Sequence, residues 1–268
     1  MTDNRTHLDV RAMALLSVLC LSWGFQQIAV KVAIGDIPPL LQGGIRGIVA
    51  TALLWIWLAA RRQPLFVRDG TLLYGLAAGV LFSGEFILLY WGLAYTTASR
   101  AVLFLYLSPF VVAVGAHWLV PGERLHRLQV VGLLCAFSGV VAVFGEAALS
   151  PARATLHGDL VVLAGAVMWG ATTVLIKASP LARIAPGRTL FYQLATSAVL
   201  MPAASALLEA WPSTLPRMGA VASLAYQAVW VAFVTYLAWF WLVRHYPAAR
   251  LASFTFLTPL FGVKPWLF

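Results

Sequence analysis

Long apolar runs constrain the fold of this chain more than any other feature. Residues 13–30, 101–120 and 128–145 each extend over 18 or more positions without an Asp, Glu, Lys or Arg. Runs of this length and composition are typical of helices that cross a lipid bilayer. A soluble domain is about half apolar and a quarter charged, whereas this chain of 268 residues is 62% hydrophobic and 10% charged. We therefore predict an all-α polytopic membrane protein embedded in a lipid bilayer.

The basic residues lie mainly between the apolar runs and give the chain a net charge of +9. They do not cluster on one face, so the sequence does not favour a nucleic-acid partner. Alternate helix ends carry twelve Lys and Arg residues on one side and five on the other. Because cytoplasmic loops hold the excess of positive charge, we predict a multi-pass protein of a bacterial-type inner (plasma) membrane with a cytoplasmic N-terminus.

Loops rich in proline, glycine and charge divide the apolar sequence into nine predicted helices. The turns include GDIPP at 35–39, VPGE at 120–123 and SPAR at 150–153. None of them is long enough for an extramembrane domain. The predicted helices are 10–34, 38–61, 70–95, 98–120, 125–145, 158–179, 187–210, 217–245 and 248–268.

Two blocks of sequence recur in the same order. SWGFQQIAVK at 22–31 matches MWGATTVLIK at 168–177, at an offset of 146 residues. Further on, YWGLAYTTASRAVLFLYLSPF at 90–110 matches FWLVRHYPAARLASFTFLTPL at 240–260, at an offset of 150 residues. Self-similarity of this kind indicates an internal repeat.

The repeat predicts how the chain is organised. The first unit, 1–148, contains five predicted helices, and an odd number turns the following unit over in the membrane. The second unit, 149–268, then has inverted topology and ends after its fourth helix. Inverted repeats are a common plan for secondary transporters.

Three motifs connect this plan to a known family. Each unit starts its first helix with Trp-Gly, the first unit enters its fourth helix through Ala-Ser-x-Ala, and both units carry Leu-x-Pro inside that helix. With five helices per repeat, the pattern resembles the EamA branch of the drug/metabolite transporter superfamily over nearly the whole chain. The resemblance implies ten helices, cytoplasmic termini and export of amino acids, aromatic ones included. By that comparison the tenth helix has no counterpart here, and the final KPWLF does not follow the repeat.

Proline occupies matching positions in the two fourth helices. Pro109 and Pro259 both lie in otherwise apolar runs. A proline inside a helix frees the carbonyl four residues back, and hydrocarbon cannot satisfy that group. Paired interruptions point to the transport site of transporters built from inverted repeats. We predict that both prolines are hinges beside the substrate path; the alternative is a pair of packing kinks with no ligand nearby.

Arg46 and Glu85 are charged side chains inside predicted spans, where charge is costly. Both lie about eight to ten residues from the same membrane face on helices of opposite direction, so at roughly 1.5 Å per residue they share nearly the same depth. This depth allows an ion pair, which would be either structural or substrate-facing.

Aromatic and polar side chains complete the predicted binding site. Trp and Tyr rings suit an aromatic or cationic ligand, although such rings are also typical of interfacial belts. Gln26 and Thr172 occupy equivalent positions after the two Trp-Gly pairs. The predicted substrate-binding residues are Trp23, Gln26, Arg46, Glu85, Tyr90, Tyr106, Trp169, Thr172, Tyr192 and Trp239.

The sequence contains none of the common nucleotide-binding, zinc-protease or nucleophile motifs. We predict no enzyme activity and no cofactor or metal, and transport driven by gradients. Glu85 is the only carboxylate predicted to lie deep in a span and available for proton coupling. We interpret the chain as a monomeric secondary transporter that exports amino acids and related small metabolites by alternating access. The alternatives are an efflux carrier for drug-like cations and, less favoured, an intramembrane enzyme acting on lipids.

Overall fold

A computed structural model describes residues 8–65, 67–93, 95–96, 98–148 and 153–263. These residues form helices joined by short loops, and no strand occurs among them. A 3₁₀ turn at Pro180–Arg183 and a π-helical segment at Tyr226–Thr235 accompany the α-helices. In chain order the α-helices of this part of the chain are α1 (Val10–Ile34), α2 (Pro39–Ala60), α3 (Leu72–Leu93), α4 (Ala98–Leu105), α5 (Ser108–Leu119), α6 (Arg127–Ala148), α7 (Arg153–Ala178), α8 (Pro186–Leu208), α9 (Met218–Ala225), α10 (Tyr236–His245), α11 (Ala248–Phe254) and α12 (Leu257–Val263).

Seven segments within the described ranges are long and apolar enough to cross a membrane. Two other predicted helices, 125–145 and 248–268, correspond to α6 and to the pair α11 and α12. The prediction of an all-α polytopic membrane fold is confirmed. The seven segments are Val10–Ile34, Pro39–Ala60, Leu72–Leu93, Arg100–Leu119, Leu156–Ala178, Pro186–Leu208 and Met218–His245.

Helices begin where the sequence supplies a cap or a proline. The Asp9 carboxylate caps α1, since it accepts a hydrogen bond from the Ala12 amide at 2.8 Å. Pro39 and Pro186 are the first residues of α2 and α8, a position where the missing N–H costs nothing. Two free amides at the start of α2 donate to the Glu209 carboxylate at 2.7 and 3.0 Å. An anion at this end is favoured by the helix dipole.

The predicted fourth helices of the two repeats, 98–120 and 248–268, are each divided into two shorter helices in the part that the structure describes. The gaps are 106–107 between α4 and α5, and 255–256 between α11 and α12. Proline cannot donate to the preceding turn, so one helix ends before it and the next begins with Pro109 in its first turn. Turns continue across the first gap, since the Tyr106 amide donates to the Val102 carbonyl at 3.0 Å and the Phe110 amide donates to the Leu107 carbonyl at 3.0 Å.

Polar contacts near helix ends and in loops join elements that the prediction places on the same membrane face. All six contacts agree with helices that alternate in direction along the chain. At one face the contacts are Asp69–Arg188, Glu123–Lys177 and Asp9–Tyr246. At the other they are Asp36–Arg217, Asp159–Arg100 and Glu209 with the start of α2.

Small residues let the central helices approach closely. A Cβ added to Gly47 on α2 would lie 3.2 Å from the Ala198 amide nitrogen on α8. A Cβ added to Gly92 on α3 would lie 3.0 Å from the Gly158 carbonyl oxygen on α7. Such contacts are typical of helix pairs in a bilayer. The largest cluster of buried apolar side chains draws mainly on α1, α2, α3, α8 and α10, which are therefore held around a common centre.

Candidate functional site

A cavity of about 120 Å³ lies between α1, α3, α7, α8 and α10, and the broken fourth helices border it. Its wall is mostly apolar with a few polar groups, a composition typical of small-molecule sites. The described residues contain no cluster of three or more His, Cys, Asp or Glu side chains able to hold a metal ion. The lining residues are Trp23, Gln26, Phe82, Glu85, Phe86, Leu89, Leu105, Tyr106, Trp169, Thr172, Thr173, Gln193, Tyr236, Trp239, Phe240 and Thr258.

Aromatic rings form two groups in the wall of the cavity. Trp23 makes edge contacts with Tyr236 and Trp239, with ring centres 6.3 and 5.4 Å apart. Tyr106 and Trp169 make an edge contact at 6.2 Å. Edge-to-face pairs of this kind are favoured by the ring quadrupoles. The cavity can therefore bind a flat apolar group between rings whose positions are fixed by each other.

Seven of the ten predicted substrate-binding residues line the cavity, and three do not. Tyr90 packs against Phe86, with ring centres 6.3 Å apart. Tyr192 lies in the contact between α3 and α8, where its ring fills the space left by Gly75 and its hydroxyl is 3.3 Å from the Thr71 hydroxyl. The third is Arg46. The seven in the lining are Trp23, Gln26, Glu85, Tyr106, Trp169, Thr172 and Trp239.

Arg46 and Glu85 lie in one region without pairing directly. Glu85 lines the cavity and is 8% exposed, while Arg46 is 2% exposed. The guanidinium carbon of Arg46 lies 4.5 Å from the centre of the Phe86 ring, and its charge acts on Glu85 through space. Among the described residues, no nitrogen of Arg46 lies within 4.0 Å of a carboxylate oxygen of Glu85. Equal depth allowed an ion pair, but Phe86 occupies the space beside the guanidinium.

Arg46 and Glu85 are exceptional among buried charges. Asp159 and Arg188 are also buried, but both lie near the ends of their helices. Asp159 pairs with Arg100, and Arg188 pairs with Asp69. A buried charge without a partner is strongly unfavourable. Arg46 and Glu85 are two such charges of opposite sign beside one cavity. The cavity is therefore a candidate site for a charged ligand.

Gln193 is a lining residue that the sequence prediction missed. Its side chain is 0% exposed, and neither its amide nitrogen nor its amide oxygen has a hydrogen-bond partner. The Nη1 atom of Arg46 is likewise buried without a partner. Most buried polar atoms in proteins are hydrogen-bonded. These atoms are therefore available to form hydrogen bonds with a ligand. Spacing could have found this residue, because Gln193 follows Pro186 by the same seven positions that separate Arg46 from Pro39.

The breaks in the fourth helices lie at the edge of the cavity. Leu105 and Tyr106 adjoin the first break and line the cavity, as does Thr258 beside the second. Pro109 is buried immediately after the first break. This placement is the one expected of hinges at the substrate path, and the hinge role of Pro109 and Pro259 stays a prediction.

The chain matches the profile of the EamA-like transporter family in two segments, residues 10–145 and 156–263. A solved crystal structure superimposes with a TM-score of 0.81 at 22% sequence identity, covering 96% of this chain and 88% of the other. The fold described above is therefore shared with a protein of known structure.

Curated relatives match the chain over almost its full length. The uncharacterized transporter YoaV of Bacillus subtilis is 27% identical over 255 residues, covering 95% of this chain and 87% of YoaV. A probable amino-acid metabolite efflux pump of Salmonella typhimurium is 28% identical over 263 residues, covering 94% of this chain and 83% of the pump. A probable amino-acid metabolite efflux pump of Escherichia coli is 26% identical over 260 residues, with coverage of 94% and 83%.

Proposed function

This chain belongs to the EamA-like transporter family, and we propose that as a membrane transporter it exports amino acids, aromatic ones included, and related small metabolites. The single observation that carries the proposal is the cavity between the central helices, with aromatic rings and unpaired polar groups in its wall. Rings such as Trp23 and Trp169 suit stacking with an aromatic side chain. Two relatives named as probable amino-acid metabolite efflux pumps support the same substrate class.

Transport occurs by alternating access around this cavity. The two halves, 1–148 and 149–268, act as inverted repeats that rock against each other, with the site at their interface. The fourth helices, broken at 106–107 and 255–256, are the elements that bend. The N-terminus is cytoplasmic, the membrane is the bacterial-type inner membrane, and one copy of the chain is sufficient. Exchange down the substrate gradient provides the driving force.

Flux of labelled amino acids into proteoliposomes tests this proposal. Purified protein is reconstituted into liposomes loaded with unlabelled L-phenylalanine, and uptake of external labelled L-phenylalanine is followed. We expect saturable uptake that depends on the internal amino acid, because exchange requires substrate on both sides. Protein-free liposomes are the control. Uptake equal to theirs, from protein shown to be folded, would overturn amino-acid transport.

One observation favours a second candidate, efflux of organic cations. Glu85 is a carboxylate in an aromatic cavity, and such a pairing also suits a cation that lacks a carboxylate of its own. Labelled tetraethylammonium in the same liposomes, with protein-free liposomes as the control, distinguishes the two. Flux of this cation without flux of phenylalanine would favour the second candidate.

A further inference from the structure

We propose that Arg46 and Gln193 bind the carboxylate of the substrate and Glu85 binds its ammonium group, so that the site selects α-amino acids in their zwitterionic form. The inference rests on the proposed function, since it specifies how an amino acid would be held in the central cavity. It assigns two residues, Arg46 and Gln193, whose atoms are buried without hydrogen-bond partners.

The balance of buried charge identifies the class of ligand. Among the described residues, the buried Asp159 and Arg188 have partners of opposite charge. Arg46 and Glu85 leave one cation and one anion near the cavity without a direct ion pair. A ligand with only a positive charge would satisfy Glu85 and leave Arg46 uncompensated, and a ligand with only a negative charge would do the reverse. A zwitterion satisfies both and adds no net charge to the membrane interior.

The Phe86 ring lies between Arg46 and the cavity. The Arg46 guanidinium is stacked on Phe86, and Phe86 itself lines the cavity. Contact with the ligand carboxylate therefore requires the Phe86 side chain to rotate away from the guanidinium. A carboxylate that reaches Arg46 gains a charge-assisted hydrogen bond, which is stronger than a bond between neutral groups. The unpartnered Nη1 atom of Arg46 is a donor available for this bond.

Gln193 occupies the position on α8 that corresponds to Arg46 on α2. Both residues follow the first residue of their helix, Pro39 or Pro186, by seven positions. The two helices pack against each other through their small residues. The Gln193 amide lines the cavity and has no partner, so its nitrogen is a donor available to a ligand there.

The matching position for Glu85 shows how the site is oriented. At the offset of 150 residues it is Thr235, whose hydroxyl already accepts a hydrogen bond from Trp23 Nε1 at 3.0 Å. The two charged side chains therefore both come from the first half of the chain. The charged end of the amino acid therefore lies beside Arg46 and Glu85, and the rings of the cavity wall are left for its side chain.

Three ligands that share one ring test the inference. L-phenylalanine carries both charged groups, phenethylamine lacks the carboxylate, and 3-phenylpropionate lacks the ammonium group. Each is used to inhibit exchange of labelled L-phenylalanine in proteoliposomes. We expect both analogues to be at least about tenfold weaker than phenylalanine, since each loses one charge-assisted contact. Equal inhibition by either analogue would overturn zwitterion recognition.

Single variants assign the two ends of the ligand. Arg46→Gln should weaken phenylalanine about tenfold or more and leave phenethylamine unchanged, because only the carboxylate loses its partner. Glu85→Gln should weaken phenylalanine and leave 3-phenylpropionate unchanged. Gln193→Leu should follow Arg46→Gln with a smaller effect. Arg217→Gln, at an exposed guanidinium that is 78% accessible, is the matched control and should change nothing.

Folding losses and failure of the proposed function give different results. If a single variant does not fold, the double variant Arg46→Gln with Glu85→Gln carries no unpaired charge, and it should bind all three ligands with similar, weak affinity. A variant that weakens phenylalanine and both analogues by the same factor would reduce these residues to structural roles and overturn the inference. Absence of phenylalanine flux in the folded wild-type protein would instead refute the proposed function itself.

Discussion

Several hydroxyl side chains within the described spans are satisfied by their own helix. The hydroxyl groups of Ser83, Thr172 and Thr235 donate to carbonyls four residues back at 2.7–2.8 Å. This local bond is a usual way for Ser and Thr to enter an apolar helix. Arg46 and Gln193 are longer, cannot fold back in this way, and keep buried atoms without partners. Their length is what makes them available to a ligand.

Substitution of Asp159 measures how much a buried ion pair contributes to the stability of the fold. The Asp159 carboxylate accepts hydrogen bonds from Arg100 and, at 2.6 Å, from the Thr96 hydroxyl. Asp159→Asn should lower the free energy of unfolding by about 2 kcal/mol, because a buried guanidinium contact loses its counter-charge. Thermal unfolding in detergent measures the change. Asp36→Asn removes the carboxylate from an exposed pair and should cost much less; equal losses would contradict the importance of burial.

The ionised carboxylate of Asp69 should stabilise the folded protein, and this contribution should be lost in acid. Hydrogen bonds from Thr71 and from Arg188 lower the pKa of Asp69 from 3.8 to about 2. Since the pKa in the folded state is below the unfolded value, this contribution is fully present above about pH 4 and is lost as the pH falls towards 2. Thermal midpoints of wild type and Asp69→Asn should therefore converge over that range. A constant difference between them from pH 6 to pH 2 would contradict this coupling.

At the scale of elements, the sequence located the interruptions but not their form. Proline at 109 and 259 is visible in the sequence, whereas the breaks at 106–107 and 255–256 depend on how the flanking turns pack. The π-helical segment Tyr226–Thr235 was also not predicted, because its sequence, YQAVWVAFVT, has the same apolar character as an ordinary span. Its wider turn depends on tertiary contacts, among them the bond from Gln227 to Gln42 at 2.9 Å.

The two prolines should control transport more than folding. Pro109→Ala or Pro259→Ala restores a backbone donor and allows the two short helices to join. Expression should survive, since Ala suits a helix better than Pro. Phenylalanine exchange in proteoliposomes, normalised to folded protein, should fall several-fold because the bend beside the cavity is altered.

Pro202 supplies the control for this prediction. It lies inside α8 and packs against Gly44, away from the cavity lining. Pro202→Ala removes the same kind of ring without touching either break, and exchange should stay near wild type. Wild-type exchange in both Pro109→Ala and Pro259→Ala would leave those prolines as packing residues only.

At the scale of the whole molecule, hydropathy was sufficient for the fold class, and positional matching recovered much of the cavity. Trp23 and Trp169 lie in matching blocks, and both line the cavity. Tyr192 lies in a helix contact instead of the cavity lining, since an aromatic ring on a span fits either position. The sequence alone could not tell whether the Tyr192 ring lies in the cavity or between helices. The answer depends on Gly75 of α3, which leaves the space that the ring fills.

Topology is tested by cysteine labelling. Gln63 and Ser213 are exposed residues in loops on opposite faces. In a background without Cys20 and Cys135, an impermeant thiol reagent added to intact cells should label Ser213→Cys and spare Gln63→Cys. This outcome follows from the excess of basic residues on the cytoplasmic side. The reverse pattern would contradict a cytoplasmic N-terminus.

The central claim is that amino acids occupy the aromatic cavity during transport. Thr172 lies in the wall of that cavity, so Thr172→Cys in the cysteine-free background places a single thiol at the site. The decisive measurement is its rate of modification by a methanethiosulfonate reagent, with and without L-phenylalanine, in reconstituted protein that exchanges the amino acid. We predict that saturating phenylalanine slows the modification. An unchanged rate under conditions of active exchange would contradict the account.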